Sequence, residues 1–264
     1  MRVAMATAAK RAGRRNEDFT GAVPGAAVLV DGAGIPGSES TCRHGVAWYA
    51  GHLGGSLLGL LALAPDRGLT ALLAEAVTHV TDLHRDTCDV ADPISPSATV
   101  AVLRIADGLA EYLVLGDCVL VLGRAGAEPL VVRDLREVVI SGSYEPALRA
   151  AGEGSDEYRR VLGELRSHRN GPGGFWVAKD DPRAADEAVT GSCPVAALTA
   201  AALLSNGASR VEDRFRLAAW PAVLAGLESD GPGALIERVR QAEALHSVAP
   251  DDATVAYCTD LAGS

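Results

Sequence analysis

Apolar residues recur along this chain in two rhythms. Arg2 to Ala8 alternates weakly and predicts a strand. Ala26 to Val30 is a continuous apolar run closed by Asp31-Gly32, the pattern of a buried strand with a turn after it. Gly34 to Ser40, rich in Gly, Pro and Ser, predicts a loop. Val46 to Leu63 and Leu69 to Leu83 carry apolar residues at helical spacing, with Pro65-Asp66 as the breaker between them. The middle of the chain changes character. Thr99 to Ile105, Glu111 to Leu115, Val119 to Leu122 and Leu130 to Val132 are short β-rich runs. Asp107-Gly108, Gly116-Asp117 and Gly123 to Gly126 separate them, which predicts an antiparallel meander of hairpins.

Tyr144 to Leu165 predicts a polar helix, and Asn170 to Gly174 is the strongest breaker. Ala196 to Leu204 is apolar and ends at Ser205-Asn206-Gly207. Helices are expected over Arg210 to Leu227 and Gly233 to Leu245, and a last strand over Ala253 to Thr259. Strands at both ends and in the middle, with helices in pairs between, indicate α+β layers in a single domain spanning 1–264.

Composition narrows the partners. The 264 residues are 48% hydrophobic and 22% charged, ordinary for a globular domain, but only 4% aromatic, so Ala, Val and Leu must fill the core. A net charge of −10 argues against non-specific binding to nucleic acid or an anionic membrane surface. Leu53 to Ala64, the longest apolar run, falls short of the ~20 residues that span a bilayer and reads as a buried helix. The apolar part of the N-terminus is too short to be expected to act as a secretion signal, and the five cysteines form no CxxC pair. Neutral thiols in a reducing cytoplasm are expected, with neither a disulfide framework nor a structural zinc site.

The candidate chemistry lies in short acidic clusters at the ends of apolar runs. They are Asn16-Glu17-Asp18, Asp31-Gly32, Gly116-Asp117 and Asp251-Asp252. A carboxylate at a strand end is costly to desolvate without a cation. Several that converge repel one another unless a metal neutralises them. All-oxygen donors suit Mg²⁺ or Mn²⁺ rather than zinc or copper.

With Ser205-Asn206-Gly207, these clusters give five motifs in order, and the chain resembles the type 2C class of metal-dependent serine/threonine protein phosphatases, especially its bacterial branch. The resemblance runs from about Arg2 to Thr259. It implies a four-layer α/β/β/α sandwich, two antiparallel sheets flanked by helix pairs, with a variable flap at about 166–194. Phe175 and Trp176 of that flap would either shape substrate access or pin the loop to the core. The resemblance also implies two Mn²⁺ or Mg²⁺ ions, with a weak third. Asp31 would bridge the two; Glu17 and the Gly32 carbonyl would complete one; Asp251 would bind the other. Asp117 would help hold the third, and Asp18 would order metal-bound water. Arg14 would grip the substrate phosphate, with Arg11 and Arg15 as rivals.

Two departures from the family pattern stand out. Asn206 replaces an aspartate, which keeps a carbonyl oxygen but loses the charge. No His follows Asp31-Gly32, so His44, His52 or water would have to serve as general acid. The expected activity is hydrolysis of phosphoserine or phosphothreonine. The alternatives are a pseudophosphatase that binds without hydrolysis, or a phosphatase for a small phosphorylated metabolite.

Overall fold

The computed structural model describes residues 1–34, 41–152 and 154–263; most of the expected loop at 34–40 lies outside them. Two five-stranded antiparallel sheets stack face to face. One has the order β1 (Arg2–Ala8), β10 (Ala253–Thr259), β9 (Leu198–Leu204), β6 (Val119–Arg124), β7 (Ala127–Arg133). The other has the order β2 (Phe19–Val23), β3 (Ala26–Ala33), β4 (Ser97–Ala106), β5 (Leu109–Leu115), β8 (Val189–Pro194).

Side chains alternate across each strand, so the middle strands serve two cores at once. In β3, Ala27 and Leu29 face the other sheet and meet Leu103, Leu120, Leu122 and Leu203. Val28 and Val30 face outward and meet Leu53, Leu57, Leu72 and Val77 of α1 (Val46–Leu63) and α2 (Leu69–His84). Burial on both sides explains why β3 reads as an unbroken apolar run. At about 1.5–3 kcal/mol for each fully buried Val or Leu, it anchors the sheet strongly. The other outer face is covered by α5 (Asn206–Asp213) and α6 (Trp220–Leu245), which bury Val211, Val223, Leu235 and Val239 against Val121, Leu204 and Val255. Helix α1 is long and apolar enough to cross a membrane, but Tyr49, Leu53, Leu57 and Leu61 are packed in this core.

Three sequence expectations are corrected. The central strands are not one meander: β4 and β5 pair in one sheet, whereas β6 and β7 pair in the other. Gly116-Asp117 is therefore the crossing between sheets rather than a hairpin tip. Gly116 has φ +74°, and a Cβ there would collide with Thr99, so glycine is required. The polar helix splits into α3 (Arg136–Ala151) and α4 (Asp156–Arg166), broken where Gly152 and Gly154 take positive φ. The helix expected from Arg210 starts earlier as α5, stops at Asp213, and resumes as α6, which kinks at Gly231-Pro232. The short strands β2 and β8 carry no strong alternation and escape the sequence reading. The strand β8 also takes up the end of the segment expected as a flap.

Candidate active site

Strand ends from both sheets deliver the acidic motifs to one place. Asp31 ends the buried part of β3 and sits in register opposite Thr99 of β4. Thr99 Oγ1 donates to Asp117 Oδ1 at 3.0 Å. Asn206, the first residue of α5, closes the ring: its backbone N–H donates to Asp31 Oδ2 at 2.8 Å, and its Nδ2 donates to Asp117 Oδ2 at 2.9 Å. Asp251 abuts Gly207, where a Cβ would strike the Asp252 carbonyl and the Asp251 side chain. Gly32 lies against the backbone carbonyl of Glu17. Glu17, Asp18, Asp31, Gly32, Asp117, Asn206 and Asp251 thus form one neighbourhood built from β2, β3, the sheet crossing, α5 and the start of β10.

The electrostatics are those of a site short of positive charge. Burial drives the Asp31 pKa well above the usual carboxylate range, and the charges of Asp18, Asp117 and Asp251 push it the same way. Asp117 is raised by burial and by Asp251, against the pull of its Thr99 and Asn206 hydrogen bonds. Asp18 is raised to about 7, first by burial, then by Asp252 and Asp251. The hydroxyls of Thr254 and Ser205 pull it back, but neither makes a well-formed hydrogen bond to it, and both Asp18 oxygens are buried without a partner. Thr254 Oγ1 pairs with Thr7 Oγ1 at 2.7 Å, and Ser205 Oγ accepts from the Thr254 N–H. A buried, unsatisfied carboxylate beside three others fits a hard divalent cation. Among the described residues, these carboxylates do not bring three ligand atoms within 4.8 Å of one another.

Two cations lie at the edge. Lys10 Nζ donates to Glu17 Oε2 at 2.5 Å and stands 3.8 Å from Asp252. Arg210 reaches Asp251 at 2.9 Å. Asp252, buried, accepts from the backbone N–H groups of Lys10 and Glu17 and so fixes the loop after β1.

Not every expected residue arrives as expected. Asn206 turns donors, not its carbonyl, toward the carboxylates. Arg11, Arg14 and Arg15 are exposed. Neither histidine considered as general acid is among the carboxylates. His52 stacks on Trp48 at 4.0 Å on the outer side of α1, and His44 meets Cys42 and Cys88. The sequence reading missed the half-buried basic pair Arg166 and Arg169. Burial lowers the Arg166 pKa to about 9 and also lowers that of Arg169, and both keep N–H groups without a partner. Glu137 and Asp117 are the acidic groups that act on Arg169. An R-x-x-R spacing at a helix end was the available signal, and it is too common to single out. Phe175 and Val177 are fully buried with Leu165 in a separate apolar cluster formed with α3 and α4, while Trp176 packs against the core under α1 and α2.

No protein-family model and no curated protein sequence matches the chain. Solved structures do. The serine/threonine phosphatase MsPP from Mycobacterium smegmatis aligns over 98% of both chains, with a TM-score of 0.59 at 18% identity. The catalytic domain of the phosphatase PstP, solved with two manganese ions, aligns over 98% of this chain and 97% of its own, with a TM-score of 0.58 at 16% identity. A bacterial serine phosphatase variant reaches a TM-score of 0.62 at 11% identity. The chain has the fold of the bacterial metal-dependent serine/threonine phosphatases. In this phosphatase fold the expected layers are all present: α1 and α2 on one sheet, α5 and α6 on the other, and the acidic ring at the strand ends between.

Proposed function

We propose that the protein is a metal-dependent phosphoric monoester hydrolase acting on phosphoserine or phosphothreonine, with Mn²⁺ or Mg²⁺ as cofactor. The observation that carries this reading is the set of Asp18, Asp31, Asp117 and Asp251: burial first, and neighbouring carboxylates second, raise the pKa of the first three, and both Asp18 oxygens are without a partner. Glu17, Asp31 and the Gly32 carbonyl would hold one ion and Asp251 the second; Asp117 and Asn206 would flank a weak third. Bound ions of this kind acidify water and neutralise developing charge. The chain's own part is to hold that water and the ester. Asp18 offers two free acceptor oxygens to orient water. Arg14 carries an exposed guanidinium whose fork suits phosphate oxygens. Asn206 keeps Asp31 and Asp117 in place by donating to both.

A second reading, a phosphoprotein-binding pseudophosphatase, is favoured by one feature. Lys10 and the Asn206 amide already satisfy Glu17, Asp31 and Asp117 in part, which lessens the demand for metal. Hydrolysis of p-nitrophenyl phosphate and of a phosphopeptide panel, with Mn²⁺, with Mg²⁺ and with chelator, separates the two. Metal-dependent turnover abolished by Asp31→Asn supports the hydrolase. Metal-independent phosphopeptide binding without turnover at saturating metal supports the pseudophosphatase.

A further inference from the structure

Away from the carboxylates, the start of α1 and the end of α2 bring together two of the five cysteines and two of the six histidines. Cys42 and His44 lie just before α1; His84 is the last residue of α2 and Cys88 ends the turn after it. Cys42 Sγ is 3.9 Å from His44 Nδ1 and 3.7 Å from His84 Nδ1, and Cys88 Sγ is 3.3 Å from His44 Nδ1. One ligand atom from each of the four lies within 4.8 Å of all the others, the only group of three or more to do so among the described residues.

We propose that Cys42, His44, His84 and Cys88 form a tetrahedral structural zinc site. Zinc bonds of about 2.3 Å to sulfur and 2.1 Å to nitrogen put the ligand atoms of a tetrahedron about 3.4–3.8 Å apart, close to the separations seen here. Soft sulfur with imidazole nitrogen selects zinc over Mg²⁺ or Mn²⁺, so this site would not compete for the ion of the carboxylate ring. Two thiolates and two neutral imidazoles balance the charge of Zn²⁺. The charged neighbours of the histidines are Lys179, Arg43 and Arg85, of which Lys179 and Arg85 are already paired with Asp180 and Asp82.

The surroundings are those of a held ligand set. Cys42 and His84 are only 2% and 3% exposed. Backbone N–H groups of His44 and Gly45 point at the Cys42 sulfur, and those of Arg43 and His44 at the Cys88 sulfur, the outer-shell support that thiolate ligands use. Trp48 stacks on His44 at 4.5 Å and leans on His84 at 5.2 Å, which fixes both rings. All four positions are filled by protein atoms, so the site is closed and has no place for substrate. Its effect is mechanical. It ties the chain that follows Asp31-Gly32 to the end of α2, alongside the Asp89 N–H to Thr41 carbonyl bond at 2.9 Å. The sequence argument against structural zinc rested on the missing CxxC pair; here each half-site is a Cys/His pair instead, Cys42-x-His44 and His84-x₃-Cys88.

The test is elemental analysis of untagged protein purified under reducing conditions without chelator. About one zinc per chain is expected. Cys88→Ser and His44→Ala should each lower it to below about a tenth, while Cys193→Ser and Asp31→Asn leave it unchanged. Cobalt substitution should give the intense ligand-field and thiolate charge-transfer bands of a tetrahedral site. Chelator-stripped wild type should gain thermal stability on adding zinc, a result that does not depend on any variant folding. A protein that stays zinc-free after reconstitution with reduced thiols, zinc content indifferent to Cys88→Ser and His44→Ala, an octahedral cobalt spectrum, or a Cys42–Cys88 disulfide in protein kept reduced would each overturn the site.

Discussion

The backbone N–H of Asn206 donates to Asp31 Oδ2 at 2.8 Å, joining residues 175 apart in sequence and lying in different sheets' territory. The same residue's side chain donates to Asp117 at 2.9 Å. Asn206 therefore acts as a neutral brace between two acids that otherwise repel.

Asn206→Asp replaces that brace with a third charge. The side-chain bond to Asp117 is lost, which costs about 1–3 kcal/mol when a buried acceptor loses its donor. Chelator-treated N206D should melt several degrees below wild type. Added Mn²⁺ should raise its melting temperature more than it raises that of wild type, and should lower the metal needed for half-maximal hydrolysis. A metal titration followed by both thermal shift and turnover checks this; an unchanged metal response would remove position 206 from the site.

Asp31→Asn should act with opposite sign on stability and on activity. Without metal, it relieves the burial cost and the repulsion that raise the Asp31 pKa, and the new amide oxygen still accepts from the Asn206 N–H. The apo variant is expected to be at least as stable as apo wild type, while metal-dependent hydrolysis falls by at least ~100-fold. Denaturant melts of both apo proteins beside a turnover assay test the pair of effects; a large loss of apo stability would contradict the electrostatic account.

Stability of the metal-free protein should depend on pH through Asp18. Its folded pKa is raised to about 7, above the ~3.9 of an unfolded aspartate. Between those values the folded state holds the extra proton, so stability falls as pH rises. The contribution is fully present below about pH 4 and lost by about pH 7, up to ~4 kcal/mol for a shift of this size. Asp31, raised in the same direction, steepens the slope. Urea melts from pH 4.5 to 8 (about half a unit apart) in chelator should show the decline, Asp18→Asn should flatten it, and a slope equal in D18N and wild type would refute the assignment.

Lys10→Met removes the ammonium from Glu17 while keeping the stem that packs along the loop. A positive charge beside a cation site opposes the cation. The Mn²⁺ concentration giving a half-maximal thermal shift should therefore fall in K10M. A rise would mean that Lys10 organises the site instead.

Arg14→Ala tests the phosphate clamp. The side chain is exposed, so its loss should change stability by less than about 0.5 kcal/mol. Loss of a charge-assisted contact of about 1.5–3 kcal/mol should cost roughly 10–100-fold in kcat/KM for a phosphate ester. Steady-state kinetics of R14A beside R11A and R15A identify which arginine carries the effect.

The sequence by itself determined the elements with strong local signatures. Ala26–Val30 reads as a two-sided buried strand, because a run of five apolar residues closed by a turn signal is short for a helix and suits cover on both faces, and Asp31-Gly32 ends it. The acidic motifs were legible for the same reason: charge at the end of an apolar run is conspicuous in one dimension. What the sequence could not carry was partnership. Gly116-Asp117 has the local chemistry of a hairpin tip, and only the pairing of β5 with β8 and of β6 with β9 makes it a crossing between sheets. Asn206 reads as a would-be oxygen ligand, but which atom it turns inward depends on Asp31 and Asp117, which arrive from 175 and 89 residues away. Cys42 and Cys88 are unremarkable apart; the antiparallel packing of α1 on α2 brings them together with His44 and His84. Local backbone preference and burial are written along the chain, whereas the geometry of a site is set by long-range packing, which a linear pattern specifies only through the fold as a whole.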